Sequence, residues 1–191
     1  MKVCIFGASS GHIENKYKNE AKQLGAELVA TGNEIIFGAG GTGLMGAVAE
    51  GAKSNGGRIH GIVPAFFEQE GFDTPFFRTD EITLAEDIST RKLYMIEQSD
   101  AFVILPGGIG TLDEFFEVLS LKLFQRHNKT VIVYDAFGYY DELLSFLSHI
   151  CEDKFINVDI KELFTVAHSI SEVITLLTVR PADPQLHRKK N

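Results

Sequence analysis

Apolar runs that read as buried strands alternate along this chain with patterns of helical period, and that alternation leaves few folds open. The strand-like runs are Val3–Phe6, Glu34–Phe37, Arg58–Val63, Ala101–Leu105, Thr130–Tyr134 and Phe164–Ala167. Helical spacing first appears at Tyr17, Ala21, Leu24, Leu28 and Val29. It returns over about Leu44–Lys53, Ala85–Gln98, Leu112–Gln125, Tyr140–Cys151 and Ile170–Thr178. Several runs are apolar at every position, which suits strands covered on both faces. The expected architecture is a doubly wound, Rossmann-like α/β fold, a parallel sheet with helices on both faces.

Composition narrows the function classes. A chain of 191 residues, 45% hydrophobic and without repeats, suits one domain over residues 1–180 with a flexible tail over 181–191. The tail carries the one basic cluster, His187-Arg188-Lys189-Lys190, and the formal net charge is −8. A nucleic-acid surface is therefore not expected, because phosphate backbones demand clustered cations. No apolar run has the length of a membrane span, and the first run breaks at Gly7, too short for a signal peptide. Two cysteines, Cys4 and Cys151, have no metal-ligand spacing and read as reduced thiols of a cytoplasmic protein. No metal and no cofactor is expected.

The chemistry gathers in glycine-rich turns. Ligands of doubly wound sheets sit at the carboxyl ends of the strands. The turns after the first, second and fourth runs should therefore share one rim. They are Gly7-Ala8-Ser9-Ser10-Gly11, Gly38-Ala39-Gly40-Gly41-Thr42-Gly43 and Pro106-Gly107-Gly108-Ile109-Gly110-Thr111. A glycine-dense turn entering a helix presents backbone N–H groups and the positive end of the helix dipole, a setting for phosphate. The second turn formally matches GxGxxG. The following strand, however, ends in Ile62-Val63-Pro64 with no acidic residue for a ribose diol, so two cradles for one nucleotide explain the chain better than a dinucleotide fingerprint.

Two charged groups accompany these loops. Glu114 follows the third turn, where Thr111-x-x-Glu114 also reads as a capping box and Asp113 as a first-turn acid complementing the dipole. Arg91 and Lys92 fall inside the apolar stripe Ile88, Met95 and Ile96. Cations on an inward stripe need an anionic partner, a phosphate or a carboxylate; the bland alternative is a pair of snorkelling side chains.

Ser89-Thr90-Arg91-Lys92 and Pro106-Gly107-Gly108-Ile109-Gly110-Thr111-Leu112-Asp113-Glu114 together resemble the signature of the Lonely Guy family. Its members are cytokinin riboside 5′-monophosphate phosphoribohydrolases, often mislabelled lysine decarboxylases. The resemblance runs from Cys4 to Tyr134 and departs at Ile88-Ser89, where the family commonly has Met-His, and at Ala39, where it commonly has glycine. It implies hydrolysis of the N-glycosidic bond of an N6-modified AMP, with Glu114 and Arg91 as catalytic residues. Glu114 would stabilise oxocarbenium character and orient or deprotonate water, its helix-start position holding it ionised. Arg91 would position Glu114 or stabilise the departing purine. Gly40, Gly41, Thr42 and Gly43 would hold the phosphate with Gly107, Gly108, Ile109, Gly110 and Thr111. Lys92, Gly7, Ser9 and Met45 would border the nucleotide. A rival substrate is unmodified AMP or another nucleoside monophosphate, and the rival of a different class is a nucleotide-binding sensor or carrier without turnover. The resemblance also implies a homodimer, for which Leu112–Gln125 offers apolar surface. The phenylalanines at 66, 67, 72, 76 and 77 would line an apolar pocket or a dimer contact. A pyridoxal-dependent decarboxylase is not expected, since no Schiff-base lysine with a pyridine partner is evident.

Overall fold

The computed structural model describes residues 1–70 and 78–179. Phe72, Phe76, Phe77 and the tail 181–191 lie outside the described residues. The elements in chain order are β1 (Lys2–Phe6), α1 (Asn15–Ala30), β2 (Glu34–Phe37), α2 (Gly43–Ser54), β3 (Ile59–Pro64), α3 (Ala65–Glu70) and β4 (Glu81–Ala85). They continue with α4 (Ile88–Gln98), β5 (Ala101–Ile104), α5 (Ile109–Leu123), β6 (Thr130–Tyr134), α6 (Asp141–Glu152), β7 (Thr165–Ala167) and α7 (Ile170–Thr178).

All seven strands form one parallel sheet in the order β4-β3-β2-β1-β5-β6-β7. The chain winds outward from β1 to β4, then returns to lay β5 against the other side of β1. The switch point is thus the crevice between the carboxyl ends of β1 and β5. Alternate strand residues feed two cores. Val3, Ile5, Ile35, Phe37 and Val103 pack with Leu24 and Leu28 of α1, Val48 of α2 and Val173 of α7. Cys4, Phe6, Ile36, Phe102 and Ile104 pack with Met95 of α4, Phe115 and Val118 of α5, and Leu147 of α6. Period-2 alternation on a sheet covered by helices on both faces requires this division.

Two differences from the sequence expectation bear on the site. Ala85 ends a strand, and α4 starts later, at Ile88, where the Asp87 carboxylate accepts the Thr90 N–H at 2.7 Å. The strand β4 is an edge strand whose Ile82 and Leu84 are half exposed or more, so it lacks the buried run that marks its neighbours. The helix α5 begins at Ile109, three residues before the expected start.

Candidate active site

The three glycine-rich turns meet at the rim. Ala8 N–H donates to Pro106 O at 3.1 Å, and Ala8 O accepts Leu44 N–H at 2.8 Å and Met45 N–H at 3.4 Å. The Thr42 hydroxyl donates to Ser9 O. These contacts demand glycine at Gly43, against backbone, and bring the flexible tip of Met45 against Gly7. A Cβ on Gly43, where φ is +61°, would stand 2.5 Å from the Ser9 carbonyl carbon, and one on Gly7 would stand 2.7 Å from Met45 Cε. Gly7, Ser9, Gly43 and Met45 are therefore one packed unit.

The two helix starts at this rim are differently occupied. At α2, the amides of Leu44 and Met45 are taken by Ala8 O. At α5, the first intrahelical bond runs from Leu112 N–H to Gly108 O at 3.0 Å. The amides of Ile109, Gly110 and Thr111 precede it and have no intrahelical partner. Gly108 and Gly110 are exposed, and Ile109 is 84% exposed. This end of α5 is the open cradle of the rim.

Behind the cradle stand Arg91 and Glu114. Arg91, in the first turn of α4, donates from Nε to Ile62 O at 3.0 Å, and its Nη1 lies 3.5 Å from Glu114 Oε1. Its guanidinium carbon is 6.0 Å from the centre of the Phe67 ring. Phe67 lies edge-on to Phe66 at 5.1 Å. The two charged side chains are only 14% and 12% exposed. Lys92 points its ammonium at Asp113, 2.8 Å away, and at Glu117, 2.5 Å away. Carboxylates thus meet both cations of the inward stripe, and with its side chain 13% exposed Lys92 does not snorkel.

Three local readings of the sequence change. The N-cap of α5 is Gly108, with no side-chain cap. The capping box is therefore not formed: Thr111 is the third helical residue and buried, and a Cβ on Gly107 would stand 2.1 Å from its Oγ1. Asp113 lies past the first turn and serves Lys92. Glu114 lies deeper still, too far along α5 for the dipole to hold it ionised. Burial pushes its carboxyl up to about 7; Arg91 and Lys92 pull it down, while Asp113 and Glu117 add to the rise. Such a group exchanges a proton near neutrality, as acid–base chemistry needs.

Sequence reasoning missed the turn after β6. Through their hydroxyls Tyr139 reaches Gly107 O and Tyr140 reaches Leu105 O, at the two ends of the Leu105–Gly107 segment. The available signal was topological, because this turn also follows a strand's carboxyl end. Among the described residues, no group of three or more His, Cys, Asp or Glu side chains is placed to hold a metal ion, and no helix is long and apolar enough to cross a membrane.

Residues 45–177 match a family model described as possible lysine decarboxylase. The chain is 33% identical to cytokinin riboside 5′-monophosphate phosphoribohydrolase LOG3 of Arabidopsis thaliana, covering 92% of this chain and 81% of that protein. It is 32% identical to LOG1 of the same plant, covering 92% and 82%. Among solved structures, the molybdenum cofactor carrier protein of Chlamydomonas reinhardtii superposes with a TM-score of 0.69 at 20% identity, covering 93% of this chain and 98% of that one. That likeness speaks for the fold. The two-core parallel sheet, the paired Arg91 and Glu114 behind the PGGIGT cradle, and these relatives make the chain a member of the Lonely Guy family of phosphoribohydrolases, hydrolases of N-glycosidic bonds.

Proposed function

We propose that the chain cleaves an N6-modified AMP into the free N6-modified adenine and ribose 5-phosphate. The observation that carries this reading is the buried Glu114 carboxyl 3.5 Å from Arg91, a little over one helical turn beyond the open cradle. A rise of 1.5 Å per residue sets Glu114 about 7 Å along α5 from Ile109, the scale of a ribose 5-phosphate. The 5′-phosphate would accept the amides of residues 109–111, with Gly107, Gly108 and the Gly40–Gly43 turn around it, and C1′ would face Glu114.

In the reaction, the C1′–N9 bond breaks and its electron pair leaves with the purine. Ionised Glu114 stabilises the positive charge that grows on the ribose and takes a proton from the attacking water, whose oxygen bonds C1′. The departing purine gains a proton, so the two hydrogens of the water end one on the new C1′ hydroxyl and one, carried off by Glu114 and returned through solvent, on the base. Arg91, held by Ile62 O, orients Glu114 and faces developing negative charge. Lys92 acts through α5 by holding Asp113 and Glu117. A homodimer would cover exposed apolar side chains of α4 and α5, Leu93 and Phe116, with Phe124 at the C-cap of α5.

The test is release of free base, followed by chromatography, from N6-isopentenyl-AMP, AMP, the nucleoside and the triphosphate, with Glu114→Gln as control. Release of isopentenyladenine from the monophosphate alone, lost in the variant, is the expected result. Release mainly from AMP would keep the chemistry and change the base. Binding without release from any of them would make the protein a nucleotide sensor or carrier.

A further inference from the structure

Three consecutive carbonyls ahead of α5 are each held by a donor from another loop. Leu105 O accepts the Tyr140 hydroxyl at 2.7 Å, Pro106 O accepts Ala8 N–H at 3.1 Å, and Gly107 O accepts the Tyr139 hydroxyl at 2.9 Å. The turn carrying the two tyrosines is itself fixed. The Asp135 carboxylate accepts the N–H of Tyr139 at 2.7 Å and of Tyr140 at 3.3 Å. The backbone oxygen of Asp135 is bonded to the His168 ring at 2.9 Å. Asp135 and Tyr140 are buried, while Tyr139 is 47% exposed.

This grip has a consequence for the cradle. In a planar trans peptide the N–H points opposite to the C=O, so holding Gly107 O sets the direction of the Gly108 N–H, at the N-cap of α5. A Cβ on Gly108 or Gly110 would meet nothing within 4 Å, so packing does not orient these residues, and glycine has little preference of its own. The orientation has to come from outside the loop. The Leu105–Pro106 peptide has no N–H, so its carbonyl is the one handle by which that peptide can be held.

We propose that Tyr139, backed by Tyr140 and Asp135, is a positioning residue for the phosphate of the substrate, acting through the Gly107 carbonyl. The identity of that phosphate rests on the nucleoside monophosphate reading above. Tyr139→Phe removes the hydroxyl and keeps the half-exposed ring. Calorimetric titration with AMP and with adenosine should show the AMP Kd rising about fivefold, the loss of one ordinary hydrogen bond, with the adenosine Kd unchanged. KM for the monophosphate should rise likewise, with kcat within about twofold. Tyr140→Phe should act in the same direction and lower the melting temperature as well. A general structural role would weaken AMP and adenosine equally, and that result would overturn the proposal. So would an unchanged AMP Kd in Tyr139→Phe, or a wild-type protein that gains no affinity from the phosphate. Phosphate-dependent binding without base release would sink the hydrolase reading and leave this one standing.

Discussion

Arg91 Nη2 lies 1.9 Å from the point where a Cβ on Gly38 would begin. The glycine at the end of β2 is therefore the floor on which the guanidinium rests. Gly38→Ala puts a methyl group in that place, and the flexible tip of Arg91 is what yields. Thermal stability should stay within a few degrees of wild type. The Arg91–Glu114 geometry, however, is lost, and misplacement by about 1 Å can cost on the order of a hundredfold in rate. The expected result is a folded Gly38→Ala protein whose kcat/KM approaches that of Arg91→Ala. Full activity in Gly38→Ala would show that Arg91 can serve from a second position.

The pH profile follows from Glu114. Burial raises its carboxyl to about 7, and the base role needs it ionised. The profile of kcat/KM, which reports the free enzyme, should thus fall tenfold per unit below about pH 7. The substrate phosphate also titrates, near pH 6, so the limb has to be assigned. Asp113 is one of the charges that raise Glu114. Asp113→Asn should therefore move the limb to lower pH, whereas a limb due to the substrate would stay in place.

Much of this fold was legible because its strands are buried on both faces. Val3–Phe6 and Ala101–Ile104 are continuous apolar runs in the sequence and buried strands in the structure. Glu81–Ala85 is exposed along most of its length, so burial left no imprint on its residues. The rim was legible from topology, and the Arg91–Glu114 pairing from the cost of an unpartnered cation. What could not be read depends on distances between segments remote in sequence. Tyr139 bonds a carbonyl 32 residues away, and Gly38 matters through a guanidinium on another element. Glu114 was expected to be held ionised because Thr111-x-x-Glu114 imitates a helix start; the earlier start at Ile109 instead buries it.

The same carboxyl sets a stability prediction. Its ordinary value is 4.5 and its folded value about 7, so between those limits the folded state holds a proton that the unfolded chain has released. By linkage, stability falls as pH rises through that window, and the cost is fully present above about pH 7. Glu114→Gln, uncharged at every pH, should match the wild type in melting temperature near pH 4 and exceed it by several degrees at pH 8. Equal melting temperatures at both pH values would mean that Arg91 already compensates the buried charge.

Ala39 and Gly61 form a second tight pair. Ala39 is buried with φ at +60°, and its Cβ lies 2.7 Å from where a Cβ on Gly61 would sit. The left-handed conformation costs a non-glycine residue about 1–2 kcal/mol. Ala39→Gly relieves that, but gives up a buried methyl worth about 0.8 kcal/mol and adds roughly 0.4–1 kcal/mol of unfolded-chain entropy. The net change should lie within about 1 kcal/mol of zero. Gly61→Ala alone overpacks the site against Ala39 Cβ and should cost about 1–3 kcal/mol. In the Ala39→Gly background the nearest obstacle is gone, leaving Thr79 Cγ2 at 3.3 Å, so the double variant should recover at least about 1 kcal/mol of that loss. Urea unfolding of the four proteins measures the cycle. Strict additivity would mean that the backbone at β3 shifts to accommodate the methyl, and that Ala39 does not set the spacing there.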